Sequence, residues 1–335
     1  MANHLESVAD VLPGLPVIAA AIGDPAGIGP EVCVKALADP ALTPLCRPVL
    51  IGNVDVVRQA AGFSGVDCPV VGTPPGDLDA LRPGQISVWD PGGFDVSGLR
   101  MAAVSADCGR AALAGMQLGA EMGRQACIQG LVWGPVHTDS MKATGLVTDI
   151  DDLQPAGTFM LRLSGPLRLV PLSEHVPLLR AIELVQPERV LALVRLLHDT
   201  LRAWGWPAPR IAVAGLNPHA MFDDDLQRIA PAVAAARDAG IDVSGPIGPD
   251  SVFRHAMEGR YDAVVTLFHD QGQIVVKTVG FAGACTVYIG LPYVLLNVPH
   301  GTAFDIAGRG VAQHQSMLSA FRTAAQLASG RPLQV

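Results

Sequence analysis

Short apolar runs alternate with segments of helical period along the whole chain. Residues 16–22 and 49–52 are apolar runs too short for a helix and read as buried strands. Between them, residues 30–38 read as a short helix, with Pro30 suited to a first turn and Glu31 favouring the positive end of the helix dipole. Residues 107–125 form a long Ala-rich helix, followed by a strand at 130–133. Over residues 186–205, Val190, Leu193, Val194, Leu197, Leu201 and Trp204 repeat at helical spacing and define one apolar face. A strand at 210–214 precedes a helix at 225–239, for which Gly240 is the stop signal. Residues 262–268, 285–289 and 293–298 read as strands, and 316–328 as a closing helix. This alternation predicts α/β layers with a mostly parallel sheet.

In such sheets ligands bind beyond the carboxyl ends of the strands. The unusual polar residues fall there. Gly23-Asp24-Pro25-Ala26-Gly27-Ile28-Gly29-Pro30 follows the first strand, and Gly134-Pro135-Val136-His137 follows the strand at 130–133. Leu216-Asn217-Pro218-His219, His269-Asp270-Gln271-Gly272 and His300-Gly301-Thr302-Ala303 follow three later strands. One histidine at a strand end means little, but four of the nine in such places point to a shared cleft.

Length and composition narrow the class. At 335 residues the chain is long enough for two domains, with one large α/β domain as the alternative. Half of it is apolar and only 16% is charged, so it can fold around a core. The apolar runs are far short of the ~18 residues that span a bilayer, which excludes a membrane protein. With 23 basic against 31 acidic residues the net charge is −8, and no basic stripe offers a nucleic-acid surface. The six cysteines include no Cys-x-x-Cys pair, so they read as free thiols in a reducing, cytoplasmic setting. Residues 1–12 lack the apolar segment of a signal peptide.

Several residues are candidates for chemistry. The loop at 23–30 feeds a helix N-terminus, which suits an anion, though a tight turn explains it equally well. His175, His219 and His269 stand on three loops, as ligands of a catalytic cation do, although any one of them alone reads more simply as a satisfied loop residue. Asp270 is placed to orient a ligand or move a proton, or merely to cap its loop. Lys142, Lys277 and Arg309 are cations near these loops, and Lys277 interrupts the apolar stretch 274–281. The run Asp223-Asp224-Asp225 reads as a helix-start charge cluster. Ser140 and Ser173 lack the setting of a hydrolase nucleophile.

Taken in order, Gly23 to Glu31, Gly215-Leu216-Asn217-Pro218-His219-Ala220, His269-Asp270-Gln271-Gly272 and His300 through Gly310 resemble the 4-hydroxythreonine-4-phosphate dehydrogenase (PdxA) family. The motifs span residues 17 to about 325, nearly the whole chain. Residues 300–313 also resemble the cofactor loop of isocitrate and isopropylmalate dehydrogenases, with Gln313 in place of the usual Asn. The resemblance implies an isocitrate/isopropylmalate dehydrogenase-like fold of two α/β domains with a cleft between them. Residues 1–135 plus 285–335 would form the cofactor side, and 136–284 the metal, substrate and dimerisation side. A homodimer with a shared active site is implied as well.

By the same resemblance, His175, His219 and His269 bind one divalent metal (Zn, Co, Mn or Mg), the last donated across the dimer. Asp250, Asp270 and Lys277 are implied as catalytic residues, with Lys277 also holding substrate together with His137. NAD or NADP would lie along Gly23, Asp24, His300, Gly301, Thr302, Ala303, Asp305 and Gln313. The implied activity is oxidation and decarboxylation of a β-hydroxy acid. The metal would acidify the hydroxyl and stabilise the enolate as CO₂ leaves. Histidine ligands suit zinc, cobalt or manganese better than magnesium.

The chain departs from the family at the substrate positions. Thr138 stands where Lys is usual, Thr286 where Asn is expected and Leu295 where Arg is expected, and residues 150–153 replace a Gly-His-Thr-Glu stretch. These losses remove cationic and donor groups that a phosphate needs. The nominal substrate is 4-phosphohydroxythreonine or its D-threonate relative. The alternative is a cis-dihydrodiol carboxylate of aromatic-acid breakdown, of the terephthalate diol type. A further alternative is a non-catalytic ligand-binding homologue.

Overall fold

The computed structural model describes residues 14–280 and 285–332. They form two compact units. One takes its described residues from Met1–Pro155 and Pro292–Ser329, the other from Ala156–Leu291 and Gly330–Val335. The sequence reading drew these junctions at 135/136 and 284/285. The difference arises because residues 138–143 pack on the helix at 106–124, and the strand at 285–289 pairs with the strand at 159–164.

The first unit opens with β1 (Val17–Ala21), α1 (Gly29–Leu37), β2 (Arg47–Ile51), α2 (Val54–Ser64), β3 (Val70–Thr73), β4 (Ile86–Trp89), α3 (Ala106–Arg124), β5 (Gly130–Trp133) and the short α4 (Thr138–Ala143). The second unit contains β6 (Phe159–Ser164), β7 (Leu167–Pro171), α5 (Leu178–Leu184), α6 (Pro187–Ala203), β8 (Ile211–Ala214), α7 (Ala230–Asp238), β9 (Val243–Ile247), α8 (Val252–Met257), β10 (Ala263–Thr266), α9 (His269–Val279) and β11 (Cys285–Ile289). The chain then returns to the first unit for β12 (Val294–Asn297) and α10 (Gln315–Ala328).

Within the first unit the strands run β3-β4-β2-β1-β5-β12, and every pairing is parallel. β1, β4 and β5 are buried along their length, as expected when helices cover both faces of a parallel sheet. A buried Val, Leu or Ile in such a strand contributes about 1.5–3 kcal/mol. Within the second unit the order is β11-β6-β7-β10-β8-β9. Here β11/β6 and β6/β7 are antiparallel and the rest parallel. The β6–β7 hairpin is absent from the sequence reading because Arg162 and Arg168 break its apolar runs.

Helix α6 buries Val190, Leu193, Val194, Leu197 and Leu201, the face that the periodicity marks. The helix expected at 225–239 instead begins with a π turn at Asp225–Ile229. Pro231 explains this, since it cannot donate to the preceding turn. α2, absent from the sequence reading, is bounded by Asn53, whose side chain accepts from two amides, and by Gly65 in the left-handed region. Among the described residues no helix is long and apolar enough to cross a membrane.

Candidate active site

In the second unit the topology gathers the histidines. β7, β10 and β8 are neighbours, and His175, His269 and His219 follow their carboxyl ends. The segment after β7 is tied to the segment after β10 by Leu172 N–H donating to Thr266 O (2.8 Å) and Ser173 Oγ donating to Leu267 O (3.1 Å). The His175 and His269 rings consequently lie 4.9 Å apart by centroid, tilted by 55°. Ligand atoms of Glu174, His175 and His269 all fall within 4.8 Å of one another. That is close to the spread of donors around one cation with bonds of about 2.0–2.2 Å, so the donor set fits a metal. A cavity of about 250 Å³ beside them is lined by Glu174, His175, Leu178, Ala181, Phe268 and His269. His269 Nδ1 meets Asp270 Oδ1 at 2.7 Å, the carboxylate contact that orients a ligating imidazole.

His219 is not in that three-residue group. It sits in an exposed loop held from below by Asp225. This buried carboxylate accepts from Leu216 N–H (2.7 Å), Asn217 Nδ2 (3.0 Å) and Phe222 N–H (3.3 Å). The acidic run at 223–225 therefore does more than start a helix. Its third member organises the loop. His219 and Ala220 both adopt left-handed backbone, with φ of 57° and 54°, a conformation that costs a non-glycine residue free energy and clusters at functional positions. Gln271 braces the same region, donating to Gly215 O and accepting from Leu267 N–H, each at 2.8 Å. A Cβ on Gly248 would lie 2.8 Å from Asp250 Oδ1 and 3.5 Å from His219 Cα, so Asp250 and His219 flank one glycine.

Lys277 is exposed on α9. The apolar residues around it belong to a helix that buries only Gly272 and Val276, with Ile274 63% exposed. Phe281, at the end of that stretch, lies outside the described residues. Thr286 is half-buried on β11, directly opposite Arg162 of β6.

In the first unit three loops close on one another. Gly23 has φ 76°, and a Cβ there would lie 2.2 Å from Pro135 O, which accepts from Asp24 N–H (2.9 Å). Ile28 N–H donates to Thr302 O (3.0 Å), and a Cβ on Gly27 would lie 2.7 Å from Thr302 Cβ. The glycines thus allow the chain to pack on itself. The helix start they lead to lies against the chain's own 302 segment, as the tight-turn alternative expects. Asp24 is 1% exposed. Burial holds its pKa above the usual carboxylate range against the lowering pull of Ala26 N–H, Ser140, His137 and Cys108. Cys108 is pushed up to about 11 by burial and by Asp24.

His137 stacks on Phe304, with centroids 4.5 Å apart and planes 16° from parallel. Its Nδ1 accepts from Asp139 N–H (3.2 Å), which leaves Nε2 as the nitrogen free to donate. Thr138 is exposed at the start of α4. Leu295 is fully buried in β12 and brings no charge to the position where the resemblance expects Arg. In the 300–313 segment Gly301, Asp305 and Gln313 are exposed, Thr302 is buried, and Ala303 has φ 42°. His300 Nε2 is buried without a hydrogen-bond partner among the described residues, as a group awaiting a ligand would be. The far end of the segment is clamped by α1. Glu31 Oε1 accepts from Ala312 N–H (2.6 Å) and Lys35 Nζ (2.7 Å), and Lys35 also donates to Gly310 O and Ala312 O. The sequence pattern gives no role to Glu174, Arg162 or Phe304, and names Asp225, Gln271 and Glu31 without the partners they hold here. Arg162, a lone charge in an apolar run, was the one with a visible signal.

The family model described as "Pyridoxal phosphate biosynthetic protein PdxA" matches residues 44–324. A Novosphingobium aromaticivorans protein, provisionally named 4-hydroxythreonine-4-phosphate dehydrogenase, is 42% identical over 316 residues, 94% of this chain and 96% of its own. The crystal structure of a Burkholderia phymatum 4-hydroxythreonine-4-phosphate dehydrogenase is similar with a TM-score of 0.84 and 32% identity, covering 94% of this chain and 99% of that one. A terephthalate 1,2-cis-dihydrodiol dehydrogenase from Burkholderia xenovorans LB400 follows at a TM-score of 0.72 and 27% identity, covering 95% and 99%. The motifs, the α/β fold and these matches agree: the chain belongs to the PdxA family.

Proposed function

We propose that the protein is an NAD- and divalent-metal-dependent dehydrogenase that oxidises and decarboxylates a β-hydroxy acid. The observation that carries this is the meeting of His175 and His269 at the ends of adjacent strands, with ring centroids 4.9 Å apart. His175, His219 and His269 would hold the cation, which when bound supplies Lewis acidity toward a hydroxyl or ketone oxygen. NAD or NADP, held along Gly23 and residues 300–313, supplies the hydride acceptor when bound.

The chain's own residues divide the remaining work. Asp270 orients His269, and Asp250 beside His219 is placed to take a hydroxyl proton. Lys277, exposed and without an ion-pair partner among the described residues, is suited to a substrate carboxylate. His137, fixed by Phe304 and Asp139 N–H, directs Nε2–H as a donor. A homodimer fits this scheme. The second unit leaves Val176, Leu178, Leu179, Met221, Phe222, Leu226 and Ile274 exposed, apolar side chains that a second copy would cover. Cys33 and Cys46, buried and pushed up to about 12, suit a reducing cytoplasm as inert core thiols.

The nominal substrate is a hydroxythreonine or threonate phosphate. A second reading, a cis-dihydrodiol carboxylate, is favoured by the buried Leu295 and by Thr138, which leave those positions without a cation for a phosphate. Purified protein assayed with NAD, divalent metal and each compound in parallel separates them. Selective turnover of the phosphorylated acid removes the second reading. Failure to reduce NAD with any β-hydroxy acid, in protein that binds no metal, removes both and leaves a ligand-binding homologue.

A further inference from the structure

We propose that Glu174 is a further protein donor to the cation at His175 and His269, and that Arg162 holds its carboxylate in place for that purpose. The inference rests on the metal-dependent reading above and adds a residue that the histidine pattern does not contain. Glu174 precedes His175, and a carboxylate oxygen lies within 4.8 Å of the ligand atoms of both histidines. The side chain is not free to swing. Oε1 accepts from Arg162 Nη1 at 2.9 Å and Oε2 from Nη2 at 2.6 Å, a two-pronged ion pair only 7% and 14% exposed. Arg162 is itself anchored by donating to Met160 O at 3.1 Å. An ionised carboxylate has about four acceptor positions, so the fork leaves lone pairs for a cation.

Charge supports the same assignment. An uncompensated guanidinium next to the histidines would repel a dication, whereas the Glu174–Arg162 pair is neutral and still offers an anionic oxygen. Arg162 stands opposite Thr286 on the paired strand, so the fork adjoins a substrate position where this chain lacks the family's asparagine. A carboxylate among imidazoles shifts a site toward harder ions, here Mn²⁺ over softer competitors.

The test uses the full chain and the metal alone as probe. Mn²⁺ and Co²⁺ titrations by calorimetry, with the visible spectrum of the Co²⁺ form, compare wild type, Glu174→Gln, Glu174→Asp and the double variant Glu174→Gln/Arg162→Met. A lost donor should weaken Mn²⁺ binding about tenfold or more and alter the Co²⁺ spectrum. The double variant should stay weak. Glu174→Asp keeps a charge facing Arg162 while withdrawing the oxygen, so it should weaken binding in a chain that still folds. Recovery of wild-type affinity in the double variant would mean that Glu174 only neutralises Arg162, and the proposal falls. An unchanged Co²⁺ spectrum in Glu174→Gln overturns it equally. Wild-type protein that binds no cation defeats the metal-dependent reading itself, visible before any variant is made.

Discussion

The loop at 23–30 and the histidine loops both start at carboxyl ends of parallel strands, yet they are built in opposite ways. Every residue from Ala21 to Pro30 is buried, and its glycines are spent on contact with Pro135 and Thr302. His175 and His219 are exposed and His269 is partly so, while the atoms that fix them lie underneath, in Asp225, Gln271 and Ser173. A glycine motif at a strand end can therefore serve the packing of the chain on itself, whereas the proposed metal site keeps its imidazoles in or near solvent, His219 in left-handed backbone. Substitutions should separate the two regions by what they disturb. Changes in the second unit should act on metal affinity, and changes in the first on stability and cofactor affinity.

The largest effect belongs to His269→Ala. Removing one of the two adjacent imidazoles should weaken divalent-metal binding by at least about a hundredfold, beyond the 10–100-fold typical of losing a supporting contact. The thermal midpoint of the metal-free protein should hardly move. A variant that keeps wild-type affinity dissolves the contrast, because its ring would then be only a satisfied loop residue. Asp225→Ala comes next. It orphans the Leu216 and Phe222 amides and should cost about 2–4 kcal/mol in urea unfolding. It should also weaken metal binding through the His219 loop. Lost stability with unchanged metal affinity would detach that loop from the metal site.

Glu31→Gln probes the first unit. The variant keeps an acceptor for Ala312 N–H but leaves Lys35 without its carboxylate. A charged hydrogen bond is worth about 1.5–3 kcal/mol, so NAD should bind roughly tenfold more weakly as the 310–312 segment loosens. Mn²⁺ affinity should stay as in wild type. An equal loss of both would erase the division of labour between the two regions.

Legibility in the sequence followed the same divide. Periodicity was enough for α3, α6 and β5, because a covered strand or a one-faced helix leaves a direct apolar trace. The β6–β7 hairpin escaped because Arg162, paired with Glu174, and Arg168, bonded to Pro166 O and Asp262 O, interrupt its apolar runs. Lys277 was singled out as a lone charge in an apolar stretch, but the stretch is a helix with an exposed face. The same argument applied to Phe159–Ser164 would have found Arg162. Side chains such as Glu174 and Asp225 could not be placed from the sequence, since their roles depend on partners brought close by folding. His219 and His269 could be named from the strands they follow, and His175 only as a loop residue of the family pattern, but which two meet is decided by strand order.

The smallest effect tests why the first unit buries an acid at all. Burial raises the pKa of Asp24 despite the Ala26 amide, Ser140, His137 and Cys108 around it. A carboxyl with a raised folded-state pKa binds more protons folded than unfolded, so stability falls as pH rises from the ordinary value of 3.8 through the raised one. Above that window the whole penalty persists. Asp24→Asn keeps an acceptor for Ala26 N–H and abolishes the charge. It should melt higher than wild type at neutral pH, and the gap should close as pH falls toward the ordinary carboxyl range. A gap that is the same at every pH would mean that Asp24 titrates alike folded and unfolded. Its burial would then carry no electrostatic penalty, and the packing of the 23–30 loop would have to be explained by shape alone.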